Sequence, residues 1–468
     1  MLMEMALGGL LLAGKPSGVE VTIYNQGFGL VKEARVLSLR AGRQSIAVED
    51  VAAQIDPTSV GVRGAGFQLL EQNYQFDLIS PAAILAKSVG QRVRLIRTVG
   101  NQRDVLEGTL MSSPTAVVGG QEGASMQYNG VVIRTDNGRI VLDPVGEIEV
   151  TTIPPGLISK PTLLWDLEAS RAGDVPVELS YITGGVSWNC DYVFTLDGAE
   201  KGDFQGWVTV NNQSGATWEN AKLKLLAGDV ERVQDRRQFM RGMEAMAMGA
   251  PAAKEQFQQE SLFEYYLYTL QRPATVRNKE IKQISLMDKR GVPFRKKLVV
   301  DAMQSMPRMI PNEGEVGTGD VKPQVRVEFT NDEKSGLGVP LPQGKVRVYQ
   351  RDQSGSTQFL GEDQIGHTPK DEKLSLVVGR SFDVVANRKR TNFDRISDRV
   401  IRESYEIELR NRKDVAETIH VIERAFGEWR ILAKSHEFTK LNSDAFEFVV
   451  TVPANTVAKV TYTIETRW

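Results

Sequence analysis

The sequence predicts an all-β protein built from multiple antiparallel β-sandwiches, with a small SH3-like or Sm-like barrel inserted. Three observations carry that expectation. From Tyr405 to Ile464 apolar and polar residues alternate in four short runs separated by turn residues, the pattern of half-buried antiparallel strands. The same period of two recurs through most of the chain. Asn137-Gly138 between two apolar runs is a strong hairpin signal.

Taken in order, the elements begin with Val19 to Tyr24, Leu30 to Leu39 and Ser45 to Val48. Val60 to Val62 and Phe67 to Leu70 follow, so residues 19–85 read as part of a sandwich. Ile79 to Ser88 breaks the alternation. Pro81 suits a first helical residue, and Ala82, Ala83, Leu85 and Ala86 form helix well. Residues 86–154 hold five short extended runs and are expected to form the small barrel. Its strands lack interleaved aromatics for base stacking, which favours a packing module over an RNA-binding one.

Pro154-Pro155-Gly156 marks a boundary. Residues 155–320 read as a central sandwich, and 321–468 as a C-terminal one. In Phe204 to Val210, Phe204, Gly206, Val208 and Val210 face one way, while Gln205, Trp207 and Thr209 face the other. Residues 234–260, rich in Met, Ala and Gln, read as a flexible insertion. Met240, Met243, Met246 and Met248 are compatible with a soft-metal tract, but the Gly-Ala-Pro ending favours a loop. In the last block Tyr405, Ile407 and Leu409 face a core and Glu406, Glu408 and Arg410 face water. Asn411 to Asp414 reads as a hairpin turn, and Arg388, Lys389 and Arg390 as a solvated loop.

Composition bounds the function. The 468 residues suggest about three domains. A net charge of −2 offers no global field for nucleic acid or an anionic membrane. A single cysteine, Cys190, excludes an intrachain disulfide and reads as a small core residue. Met5 to Gly14 is far short of the ~20 apolar residues a spanning helix needs. Its length suits a secretory core, although Glu4 stands where a basic start belongs. Residues 1–18 are therefore read as a partial signal segment or a disordered tail. The corresponding compartment is periplasmic or extracellular, with the cytoplasm as the alternative.

The catalytic inventory is thin. His367, His420 and His436 make no zinc motif, and neither a nucleophile elbow nor a P-loop is present. No cofactor, metal or catalytic residue is assigned. Asp166 with Glu168, and Glu362 with Asp363, are the carboxylate pairs open to acid–base work on a glycan. Trp207 and Trp218 are candidate platforms for stacking on sugar rings, weighed against a core role.

Val177 to Asp197 and Gly206 to Val230 carry a resemblance. Tyr181, Trp188 and Tyr192 precede an Asn-rich turn, followed by Asn211, Asn212, Ser214, Gly215, Trp218, Ala221, Leu223, Leu225, Gly228 and Asp229. Over about residues 163–468 the chain resembles the bacterial domain of unknown function 4139, also described as mucoidy inhibitor A-like. The resemblance implies a β-rich fold with no established reaction. Members often carry a coiled coil ahead of this region, and this chain has no heptad segment there.

The expectation is a non-enzymatic binding or scaffolding protein of the bacterial cell envelope with a protein or glycan partner. The alternatives are a carbohydrate-active hydrolase using carboxylates on a sandwich face, and a nucleic-acid-binding small-barrel protein.

Overall fold

The computed structural model describes residues 11–99, 102–112, 115–120, 123–128, 130–228, 230–231, 256–304 and 317–468. The described chain is all-β, and its strand ladders are mostly antiparallel. The expected helix is present as Pro81–Lys87, with the Ser80 hydroxyl accepting the Ala83 N–H as an N-cap. The methionine tract lies outside the described residues. The end of the expected insertion is ordered as a strand, Phe257–Leu262, paired with Tyr265–Leu270.

The chain divides into two compact units, neither continuous in sequence. The first holds residues 1–187, 211–224 and 273–281. In it, Gly42–Glu49, Thr162–Ala169 and Phe67–Gln75 pair side by side and bury Ile46, Val48, Leu163, Trp165 and Leu167. Thus the chain beyond Pro154-Pro155-Gly156 returns to this unit. A second sheet orders Gly18–Tyr24, Phe28–Leu39, Gly173–Gly184 and Gly61–Gly64. Leu11–Leu12 runs parallel to Gly42–Glu49, so the end of the apolar N-terminal stretch is a strand of the fold.

The barrel expected for residues 86–154 is a five-stranded sheet. Its order is Ile140–Leu142, Val132–Thr135, Gln102–Leu110, Arg92–Val99 and Glu147–Val150. Among the described residues no ladder joins the two edge strands, so no closed barrel forms. Val93, Leu95, Leu110, Val131 and Ile133 make its core. The hairpin at Asn137-Gly138 is present, closed by the Gly138 N–H donating to the Thr135 carbonyl; Gly138 alone is left-handed at φ 82°, so the loop is a turn followed by a left-handed glycine and not the two-residue I′ type.

The second unit holds residues 188–210, 225–272 and 282–468. One of its sheets orders Glu280–Pro293, Lys201–Asn212, Val186–Asp197, Gly344–Arg351 and Thr357–Ile365. The Val186–Asp197 and Gly344–Arg351 strands run parallel, with Cys190 beside Gly344. A Cβ at Gly344 would stand 2.1 Å from the Cys190 carbonyl oxygen, so only glycine admits this approach. The inner face buries Tyr192, Phe194 and Phe204, which pack with Phe294 and Phe329. Cys190 is buried among them, and burial pushes its thiol up to about 12, which keeps it protonated and inert.

The remaining two sheets form the C-terminal sandwich. Lys373–Arg380, Gln324–Thr330, Arg295–Val300, Glu417–Arg424, Ala445–Val452 and Phe438–Asn442 make one layer. Gly319–Val321, Val384–Ser397, Val400–Asn411, Val457–Arg467 and Glu428–Lys434 make the other. Ile407, Leu409, Ile419, Val421, Phe446, Phe448, Val450, Val460 and Ile464 fill the space between, as their alternation predicts.

Two expectations change here. Asn411 to Asp414 is not a hairpin turn, because Val400–Asn411 and Glu417–Arg424 lie in different layers. The chain crosses the sandwich at this point. Fully buried Asn411 holds the crossing by donating from Nδ2 to the carbonyls of Val415, Val452 and Pro453. Arg388 to Arg390 is not a solvated loop either. It lies within the Val384–Ser397 strand, and Arg388 points inward because a buried carboxylate awaits it.

Candidate functional site: a hydrogen-bonded stripe across a sheet face

The five-stranded sheet of the second unit carries a polar row on the face opposite its aromatic core. Period-two alternation puts Asn189 and Asp191 on this face of one strand, and Trp207 and Thr209 on that of another. Lys345, Arg347 and Tyr349 share it on a third. The bonds then run across the strands. The Gln283 amide donates to the Thr209 hydroxyl at 3.3 Å, and Thr209 donates to Asp191 at 2.8 Å. Asn189 donates to the same carboxylate at 3.0 Å, and Arg347 reaches its other oxygen at 3.4 Å. Arg347 also pairs with Glu362 at 3.4 Å, and Lys345 with Glu362 at 3.1 Å. One connected row thus spans all five strands.

Aromatic groups adjoin this row. Trp207 is half-buried, two residues from Thr209 on the same strand. Tyr349 lies against Phe359 with ring centroids 5.5 Å apart, and Phe359 is 55% exposed. The row is charge-balanced, Asp191 and Glu362 against Lys345 and Arg347. Asp191 accepts three bonds from neighbouring side chains, so most of its acceptor sites are already taken by the protein. The face is chemically a lattice of donors and acceptors beside apolar rings.

The other sequence candidates are placed apart. Trp218 is 2% exposed and offers no free ring face. Asp166 and Glu168 share a face of the Thr162–Ala169 strand, where Asp166 accepts from Ser45 and pairs with Arg43 at 3.6 Å. Glu362 and Asp363 diverge. Glu362 joins the row, whereas Asp363 accepts the backbone N–H groups of Val377 and Gln364. His420 bonds Glu447 at 2.8 Å, and burial together with nearby Lys297 lowers its pKa. Among the described residues no group of His, Cys, Asp and Glu converges as a metal site.

Two of the buried ionic clusters among the described residues share one set of residue types. In the first unit Arg35 pairs with Glu33 at 2.7 Å, and the Tyr181 hydroxyl donates to Glu33 at 2.9 Å. In the second, Arg388 grips Glu423 through Nε and Nη2 at 2.8–3.1 Å, and Tyr462 donates to the same carboxylate. Arg388 also lies 3.9 Å over the Tyr405 ring. Burial opposes the Arg388 charge, but Glu423 outweighs it and holds the guanidinium firmly protonated. Burial, reinforced by Glu423, pushes the Tyr462 phenol well up. Charges so fully engaged with one another inside the protein suit architecture better than proton transfer.

The Asn-rich turn that carries the family resemblance has a structural role of the same kind. Fully buried Asn212 donates to the carbonyls of Ala216 and Val276 and accepts from the Ser214 N–H and hydroxyl. The sequence singles out Trp207 and Glu362 and puts Thr209 on the face of Trp207, but it does not single out Asp191, Gln283, Lys345 or Arg347. Each sits at an outward alternation position, the one signal available. No family model matches this chain, and no curated protein matches it.

Proposed function

We propose that this chain is a non-enzymatic binding or scaffolding protein of the bacterial cell envelope whose binding face is the polar stripe, and that its ligand is a neutral glycan chain. The observation that supports this is the continuous row from Gln283 to Lys345 beside Trp207 and the Tyr349–Phe359 pair. Sugar rings present apolar faces for aromatic side chains and hydroxyls for paired donors and acceptors. Balanced charge along the row disfavours a polyanion, whose phosphates need a net positive track. The engaged carboxylates favour recognition over hydrolysis.

The envelope assignment is supported by the apolar Met5–Gly14 stretch. Because Leu11–Leu12 is a strand and Ala13 donates to the Ala47 carbonyl, any processing compatible with this fold cuts before Leu11. The family reading over about residues 163–468 is part of the same proposal and rests on the Tyr, Trp and Asn residues named above.

A glycan array tests the proposal. Wild type binds a subset of neutral glycans without releasing reducing ends, and Trp207→Ala loses that signal while keeping its melting temperature. Reducing-end release by wild type, or a binding profile that Trp207→Ala leaves intact, contradicts it.

A further inference from the structure

The five-stranded sheet of residues 92–150 ends in two unlike edges. Glu147–Val150 turns Glu147 and Glu149 to solvent, and charge at an edge discourages pairing with another chain. Ile140–Leu142 carries no charge and is short and apolar, with Ile140 56% and Leu142 72% exposed. Val145, just beyond it, is also exposed.

The backbone of that edge is set for a partner strand. Thr135 donates to the Arg139 carbonyl at 2.9 Å, and Asp143 donates to the Val131 carbonyl at 2.6 Å. Residues 139, 141 and 143 therefore turn their backbone groups toward Val132–Thr135. By alternation Ile140 and Leu142 turn theirs outward. Among the described residues no strand takes them.

The run Arg139-Ile140-Val141-Leu142-Asp143 is self-complementary. We infer that this edge pairs antiparallel with the same edge of a second copy of the chain, about a two-fold axis at Val141. Ile140 of each copy then exchanges both backbone bonds with the partner's Leu142, giving four bonds. Val141 meets the partner's Val141 as a non-hydrogen-bonded pair, with Cα atoms about 4.5 Å apart. Arg139 is brought toward the partner's Asp143, so opposite charges flank an apolar centre at both ends. Such a contact is isologous and closes at two copies. Pro144 ends the ladder by removing the next donor.

Sedimentation of the full chain over a range of concentrations tests this. Wild type shows a reversible monomer–dimer equilibrium, because a three-residue ladder makes a modest interface. Leu142→Lys weakens dimerisation roughly tenfold or more and leaves the melting temperature unchanged, since the side chain is exposed. Val141→Cys supplies a second readout. Its Cα separation across the axis falls in the range a disulfide spans, roughly 4.4–6.8 Å, and buried Cys190 does not compete. Mild oxidation gives a covalent dimer for Val141→Cys and much less for Ile140→Cys. Wild type sedimenting as a monomer at every concentration overturns the inference. So does a dimer that Leu142→Lys leaves intact, or one that Val141→Cys fails to cross-link.

Discussion

The two buried clusters use the same three residue types in different ways. In the first unit Glu33 and Arg35 are two residues apart on Phe28–Leu39, and Tyr181 comes from the adjacent strand of the same sheet. The cluster is local to one layer. In the second unit Arg388 and Glu423 stand on opposite layers of the C-terminal sandwich, and Tyr462 joins them from the layer of Arg388. Each arginine also donates from Nη1 to a glycine carbonyl of a neighbouring segment, Gly14 at 3.3 Å and Gly317 at 3.2 Å. One chemical kit thus fastens a segment to a sheet in one place and sheet to sheet in another.

The largest expected effect follows from the cross-layer cluster. Arg388→Met leaves Glu423 buried without its cation and costs about 3–5 kcal/mol, read as a lowered denaturant midpoint. The double variant Arg388→Met with Glu423→Leu removes both charges and recovers most of that loss. Arg35→Met costs a similar amount. Hydrogen exchange sharpens the contrast: it loosens only strands near Glu33, whereas Arg388→Met exposes amides in both C-terminal layers.

Next in size is the crossing at Asn411. Asn411→Ala leaves three carbonyls without their donor and costs about 1–3 kcal/mol by thermal or denaturant unfolding. Asn411→Asp, which keeps the shape but loses the donors, rescues little.

The smallest effect is on pH dependence. Burial opposes ionisation of Glu417, but Lys413 and Lys296 outweigh it and hold its carboxyl below the ordinary glutamate value of 4.5. A depressed carboxyl contributes stability that is full above pH 4.5 and lost as pH falls through the folded-state pKa. Glu417→Gln therefore flattens the loss of melting temperature below pH 4.5 and leaves the slope above it unchanged.

Much of this fold is legible in the alternation. Phe446, Phe448, Val450, Val460 and Ile464 point inward because an extended strand has only two faces. The clusters were illegible for the same reason. Glu33, Arg35, Arg388 and Glu423 also occupy inward positions, but a polarity pattern reads a charge as outward unless its counter-charge is known. Arg388 and Glu423 are 35 residues apart and meet only once the layers stack. The Asn411 crossing reads as a hairpin because both neighbours alternate; only the pairing of strands separates a turn from a crossing. The stripe was half legible: Trp207 and Thr209 alternate outward visibly, yet Asp191 and Arg347 become neighbours through a parallel pairing across about 150 residues of sequence.

We propose that the buried charges are architecture and that recognition belongs to the stripe. The most direct test is the Arg388→Met, Glu423→Leu double variant compared with wild type on the same glycan array. A well-folded double variant with an unchanged binding profile is the predicted result. A double variant that keeps its melting temperature but loses binding would contradict the claim.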